Sequence, residues 1–249
     1  MFDALEALLR KVPQLDIPLI YDGLTLYRSK TKSLGGYELR KKCLRILPEL
    51  RFGSDMEKTD LSAIYTDNQL LRRRDFVPNN FEAIKELELW CAGKFPEAEF
   101  IVRHRITSVE DMVHKERVNG QRALFDIVGF QIVPRSISAL RHTLKTLNEQ
   151  TEWEKLFVFN TFPFVRNDFK RLIGPESAPY YRALHYYLMV ENVCVEIQVR
   201  TPMIDQWSML HHAACYKLTV SIAPGEVSMV MMLGQVANWV DCHRLCDAY

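Results

Sequence analysis

Residues 193–201, VCVEIQVRT, alternate Val193, Val195, Ile197 and Val199 with Cys194, Glu196, Gln198 and Arg200. This is the period of a half-buried β-strand, so the second set shares one face. An acid, an amide and a cation then stand in a row, each about 6.6–7 Å from the next. The solvent face of an edge strand has the same look. The run LFDIVGFQIV, residues 124–133, argues for more, because it sets Asp126 inside an apolar strand with a glycine at 129. A carboxylate there is costly unless it is paired or holds a metal. If the two runs are neighbouring strands, Asp126 and Glu196 together offer a seat for Mg²⁺, which takes hard carboxylate oxygens.

The elements that must position these acids follow from periodicity and punctuation. Residues 1–12 carry Phe2, Leu5, Leu8 and Leu9 at helical spacing. Residues 37–47 read as a helix between Gly35-Gly36 and Pro48, and residues 52–64 as a polar surface loop. Pro78-Asn79-Asn80 predicts a helix over 80–93 with Phe81, Ile84, Leu87, Leu89 and Trp90 inward. A strand over 99–105, a helix over 109–117 capped by Ser108, and the strand 124–133 come next. Ser136 or Ser138 opens a helix, residues 153–161 form a strand, and a basic loop spans 164–179. Residues 181–190 and 193–201 pair as a hairpin about Glu191-Asn192. A helix over 204–217 and an apolar final helix over 227–245 close the chain; the last should pack on a neighbouring helix. The order β-α-β-α-β-β-β-α, with helices at both ends, predicts an α+β fold with a mixed sheet and helices on one side.

Composition sets bounds. An apolar fraction of 48% and a charged fraction of 25% are ordinary globular values. With a net charge of +1, any nucleic-acid surface must be local. The candidates are Arg28, Lys30, Lys32 and residues 40–42, with Arg72, Arg73 and Arg74; the alternative for both groups is a solvated face. Six cysteines without CxxC spacing, and no secretory signal, point to reduced thiols and a cytoplasmic location. Cys242, His243 and Cys246 suggest a metal only weakly, since no second ligand pair accompanies them. No apolar run reaches membrane-spanning length.

Five motifs in one order then resemble the RelA/SpoT synthetase domain, a nucleotidyltransferase-like fold that makes (p)ppGpp. RHRITSVEDMVHK (103–115) resembles the basic strand and helix that hold donor ATP. LFDIVGFQIV resembles the strand supplying a metal-binding Asp. YYRALH (180–185) resembles a G-Y-R-S-L-H motif, VEIQVRT an E-x-Q-x-R-T strand, and DQWSMLHHAACYK (205–217) the closing helix. The resemblance covers residues 99–217, flanked by a mainly helical extension, 1–98, and a C-terminal helix, 218–249. It implies an enzyme of the GTP diphosphokinase type, using Mg²⁺ to move the β,γ-pyrophosphate of ATP to a ribose 3′-hydroxyl of GDP or GTP. Asp126 and Glu196 would be catalytic and would bind the metal, Glu196 as ligand, general base or both. Arg103, Arg105, Lys115 and Arg182 would bind ATP; Tyr181, His185, Gln198 and Arg200 would bind the acceptor, with Arg182 and Arg200 able to serve either substrate. His185 and Gln198 could brace the acid instead, and Tyr181 could be a core aromatic. His212, Tyr216 and Lys217 read as architecture.

The departures from the family pattern matter. Gln131 stands where Arg is usual, Thr107 and Asp111 where Lys and Ser are usual, Met209 where Glu is, and Tyr180 where Gly is. The loop GPESAP lacks a customary lysine. Three functions follow as expectations: an alarmone synthetase without hydrolase; a toxin that pyrophosphorylates the 3′ end of tRNA, or makes adenosine alarmones, with an antitoxin partner; and a silent nucleotide-binding module.

Overall fold

The structure is a computed structural model and describes residues 2–30, 76–106, 128–160, 181–191, 193–216 and 218–247. Helices α1 (Phe2–Arg10), α2 (Ile17–Lys30) and α3 (Phe76–Lys94) precede strand β1 (Phe100–Ile106). Then come β2 (Val128–Pro134), α4 (Ile137–Glu149), β3 (Glu154–Asn160), β4 (Leu184–Val190) and β5 (Val193–Val199). Helix α5 (Pro202–His211), a π-helical turn (His212–Tyr216) and α6 (Pro224–Asp247) complete the order. The chain divides into two compact units. One comprises residues 51–160 and 183–200, and the other residues 1–50, 161–182 and 201–249.

The first unit is built on a sheet of order β1-β2-β5-β4-β3. β2 and β5 run parallel, and every other pair is antiparallel, so the sheet is mixed as expected. The VCVEIQV strand lies at its centre, and its polar residues therefore do not belong to an edge. Its hairpin partner turns at Glu191, which takes a left-handed φ of 48°. Phe130, Ile132, Tyr186, Leu188, Val195 and Ile197 are buried on one face. Both helices cover that face: Tyr186 donates its hydroxyl to Asn148 of α4 at 3.2 Å, and His104, stacked near Phe130, pairs with Glu88 of α3 at 2.9 Å. Ser136 caps α4 as its sequence suggests, accepting from the Ala139 amide at 3.1 Å.

Two readings of α3 need correction. The helix begins at Phe76, because Pro78 falls in the first turn, where an amide proton has no helical partner to lose. Phe81 and Leu89 are each 67% exposed, not inward. The buried positions are Ala83, Ile84, Leu87 and Cys91, and at 100° per residue Leu89 lies about 200° round from Leu87.

The second unit is helical. α6 packs on α5 and α2, which is the helical neighbour its apolar surface called for. α5 crosses α6 closely: a Cβ on Gly234 would stand 2.5 Å from Trp207 Cε2, and Trp207 Nε1 donates to the Val230 carbonyl at 2.8 Å. α5 itself starts two residues earlier than its pattern suggests and gives way to the π-helical turn after His211. Thr201, at its N-cap, makes no side-chain cap bond. Asp241 of α6 does the capping instead, accepting from the Met203 and Ile204 amides at 3.2 and 2.9 Å. α2 was hidden in the sequence by its position ahead of the Gly35-Gly36 break; it buries Ile20, Gly23 and Leu24. Residues 37–47, 52–64, 109–117 and 164–179 lie outside the described residues, as do Lys32 and the basic groups at 40–42 and 72–74.

Candidate active site

On the sheet face opposite α3 and α4, strand register arranges side chains in two rows. Arg105, Gly129, Glu196 and Tyr187 are successive partners across β1, β2, β5 and β4. Arg103, Gln131, Gln198 and His185 form the next row along. Alternation on each strand puts all eight positions on one side of the sheet.

Glu196 is the centre of this face and is only 4% exposed. Its Oε1 accepts from His185 Nδ1 at 2.7 Å and from the Tyr187 hydroxyl at 2.8 Å. Its Oε2 accepts from Gln198 Nε2 at 2.6 Å and faces the Arg105 guanidinium at 3.6 Å. Gln198 in turn accepts from Arg200 through its side-chain oxygen, so the E-x-Q-x-R row is one connected chain of hydrogen bonds. Burial works to raise the Glu196 pKa. Hydrogen bonds from His185 and Tyr187 and the positive charges of His185 and Arg105 outweigh it and hold the carboxyl at about 2. Glu196 is therefore an anion throughout the neutral range.

Arg105 reaches Glu196 by lying over Gly129. A Cβ at 129 would come within 3.0 Å of Arg105 Nε and 3.3 Å of its Cγ. The glycine thus leaves room for a cation to cross from β1 towards β5, a close approach of the kind that favours glycine in a strand. Arg105 is 40% exposed, so it sits where positive charge is favoured and solvent still has access.

The face offers a divalent cation one hard donor, the buried and ionised Glu196 carboxylate, with the Arg105 guanidinium beside Oε2 as a competing positive charge. Mg²⁺ commonly binds through one or two carboxylates, with substrate phosphates and water completing its shell. Among the described residues no group of three or more His, Cys, Asp or Glu forms a ready-made metal site. Asp126, the expected second ligand, and Lys115 lie outside the described residues. Of the other expected site residues, Arg103, Arg105, His185, Gln198 and Arg200 share the unit of Glu196. Tyr181 and Arg182 belong to the helical unit by chain division; Arg182 is buried and donates to the Tyr181 carbonyl at 2.7 Å. Tyr187 is a residue the motifs did not single out. Its signal was present in the hairpin pattern, since position 187 shares a face with position 185 and falls opposite Glu196. Lys217 lies outside the described residues, and His211 stacks against Trp207 at 5.1 Å, with burial lowering its pKa. The described cysteines, Cys91, Cys194, Cys215 and Cys242, are free thiols. No helix among the described residues is long and apolar enough to cross a membrane.

A mixed sheet with helices on one face and a carboxylate held ionised on the other defines an α+β domain. Residues 103–220 match the family described as the region found in RelA / SpoT proteins, so the chain carries a region of RelA/SpoT type. The fold is similar to that of small alarmone synthetase 1 from Bacillus subtilis, with a TM-score of 0.55 and 17% identity over 70% of this chain and 94% of that one. The same B. subtilis protein bound to its product pppGpp gives a TM-score of 0.53 at 17% identity, covering 68% of this chain and 92% of that one. Small alarmone synthetase 2 from B. subtilis gives 0.51 at 22% identity, covering 65% and 90%. No protein with a curated description matches the chain in sequence.

Proposed function

We propose that this chain is an ATP-dependent pyrophosphotransferase acting on the ribose 3′-hydroxyl of GDP or GTP. The observation that carries the reading is the ionised Glu196, buried on a central strand with donors on both oxygens and an arginine beside it. In the proposed reaction the acceptor 3′-oxygen attacks the β-phosphorus of ATP, the bridging bond to the α-phosphate breaks, and AMP leaves. The hydroxyl proton passes to a base at the site. Glu196 and Asp126 would hold Mg²⁺, which when bound neutralises charge on the phosphates. Arg103 and Arg105 lie on one face of β1, two residues apart, which suits bidentate contact with the donor phosphates. Lys115 and Arg182 would add to donor binding, and Tyr181 would stack on the acceptor base. Arg200 is tied to Gln198, and His185 and Gln198 to Glu196. Their contribution to acceptor binding would therefore come with a role in bracing the carboxylate. With a carboxyl held at about 2, Glu196 suits cation binding better than proton abstraction, because an efficient base has a pKa near the working pH. The fold likeness to a small alarmone synthetase whose product is pppGpp supports a guanosine acceptor.

A second reading, transfer to the 3′-terminal adenosine of tRNA, draws support from Gln131. It places a neutral amide between Arg103 and Gln198, so this row carries one cation on β1 and none on β2. Incubation with γ-³²P-ATP, Mg²⁺ and GDP, GTP, ADP or bulk tRNA in separate reactions decides the matter. Label in GDP or GTP supports the first reading and label in tRNA the second. Label in ADP points to adenosine alarmones. No transfer to any acceptor would leave a nucleotide-binding module and sink both.

A further inference from the structure

The two oxygens of Glu196 are held differently, and the difference assigns work to a residue outside the family motifs. Oε1 accepts from His185 and Tyr187, both on β4 and both within 2.8 Å. Oε2 accepts from Gln198 and has its other contact, at 3.6 Å, with a partly exposed arginine. A contact of that length to a solvent-accessible side chain exchanges more readily than a hydrogen bond to a phenol or imidazole inside the sheet. Oε1 is thus held by two short bonds from β4 and Oε2 by one, from Gln198, with the Arg105 contact the one open to exchange. With Gln198 on Oε2, a single donor on Oε1 would still leave the carboxylate some freedom about its terminal torsion, which has a broad profile. Two donors converging from one neighbouring strand remove that freedom. Tyr187 is the direct cross-strand partner of Glu196, so its phenol approaches from a fixed direction.

We propose that Tyr187 is a positioning residue: its hydroxyl, together with His185, pins Oε1 of Glu196 and presents Oε2 to the reacting phosphates and their cation. The proposal rests on the pyrophosphotransferase reading for its effect on rate, and on the β4–β5 geometry alone for the contact. Hydrogen bonds to charged groups are among the stronger ones in proteins, and each factor of ten in rate corresponds to one such modest loss. Tyr187→Phe removes the hydroxyl and keeps the ring.

The test is a double-mutant cycle with Glu196→Gln, assayed with labelled ATP and whichever acceptor the wild-type protein uses. Tyr187→Phe is expected to lower kcat about tenfold, with KM for ATP and for acceptor changed less than about twofold. In the Glu196→Gln background the same substitution should have no further effect on residual transfer. An unchanged kcat, a rise in KM alone, or an undiminished fall in the Glu196→Gln background would each overturn the proposal. A second measurement needs no activity. In protein labelled with carbon-13 at glutamate Cδ, the Glu196 resonance is the one lost in Glu196→Gln. Tyr187→Phe should move that resonance while leaving the other glutamates in place; a stationary resonance defeats the proposal even if transfer falls. If the wild-type protein transfers to no acceptor, the functional reading fails, and this spectrum still decides whether Tyr187 holds the carboxylate.

Discussion

The two units each bury a carboxylate, and the two behave in opposite ways. Glu196 sits on the sheet with its pKa held at about 2; Asp241 sits on α6 with its pKa pushed up to about 6. Burial is the largest influence on both, and it raises both. What differs is the company. Glu196 receives side-chain hydrogen bonds from His185, Tyr187 and Gln198 and lies beside Arg105. Asp241 is favoured as an anion by the Thr201 side chain, by the Ile204 and Met203 amides at the start of α5 and by the charge of Arg244. Dipoles aimed at Asp241 supply partial charges, whereas Glu196 has a guanidinium beside it at 3.6 Å in addition to its hydrogen bonds. Depth of burial therefore says little about which acid is ready for chemistry. The charges converging on it say more.

The largest expected effect tests that contrast at the sheet. Glu196→Gln keeps the shape of the side chain and removes its charge, and transfer should fall by on the order of 10²- to 10⁴-fold. Asp241→Asn, measured in the same assay on protein of equal folded fraction, should change transfer by less than about threefold, a small change in barrier terms. Comparable losses in the two variants would erase the distinction between a working acid and a capping one.

The next effect is in stability against pH, and here the two acids give slopes of opposite sign. Asp241 titrates at about 6 when folded and near the ordinary 3.8 when unfolded. Between those values the folded chain binds more protons, so stability falls as pH rises from about 4 to 6, by up to roughly 3 kcal/mol. Glu196 has its folded pKa below its ordinary 4.5, so its contribution is complete above 4.5 and is lost as pH falls towards 2. Urea unfolding midpoints across pH 3–7 measure both arms. Asp241→Asn should flatten the arm between 4 and 6 and leave the acid arm. A flattening of both arms, or of neither, would show that the two carboxylates do not titrate as separate groups.

The helical unit also offers a test of tight packing between helices. Gly234→Ala forces a methyl group against the Trp207 indole, which is itself held by its bond to Val230. Overpacking of this kind costs about 1–3 kcal/mol, read from urea unfolding. Alanine ordinarily favours a helix interior by up to about 1 kcal/mol over glycine, so net stabilisation would mean that α5 and α6 move apart at little cost.

How far the sequence reveals this contrast depends on the element. The β5 row was legible because period-two alternation over a full strand fixes both faces, and a polar set on such a strand stands out against valine and isoleucine. Its place at the sheet centre was legible only through the apolar run 124–133, since a strand carries no mark of its neighbours' order. The contact of Tyr187 with Glu196 was not legible from a motif, because it depends on hairpin register, and one residue of slip would turn it to the other face. Asp241 was hidden for a different reason: it caps a helix from a position 38 residues away in the chain from Met203, and no local pattern marks a distant cap. Phe81 and Leu89 are exposed although apolar, because residue type alone does not fix helical phase. Ile84, Leu87 and Cys91 set the phase, and the other two fall outside it.

The smallest expected effect sharpens the comparison most finely, because it leaves both carboxylates in place. Gly129→Ala adds one methyl group to β2, 3.0 Å from Arg105 Nε and 3.3 Å from Arg105 Cγ. The neighbour is the stem and head of a flexible, partly exposed arginine, so it can shift by a few tenths of an ångström while the backbone stays where it is. The fold should accept the change within about 1 kcal/mol, since alanine also restricts the unfolded chain more than glycine does. What should suffer is the reach of Arg105 across the row to Glu196. Transfer is expected to fall about three- to tenfold, most of it in KM for ATP if the same guanidinium also meets the donor phosphates. Arg105→Lys separates the two roles, because lysine keeps the charge but not the planar fork. If Gly129→Ala leaves transfer unchanged while Arg105→Lys reduces it, the arginine works without crossing at residue 129. If both fall together, the crossing at Gly129 joins the His185 and Tyr187 bonds in setting the acid on the sheet apart from the one on α6: a cation delivered to it across a strand that has no side chain in the way.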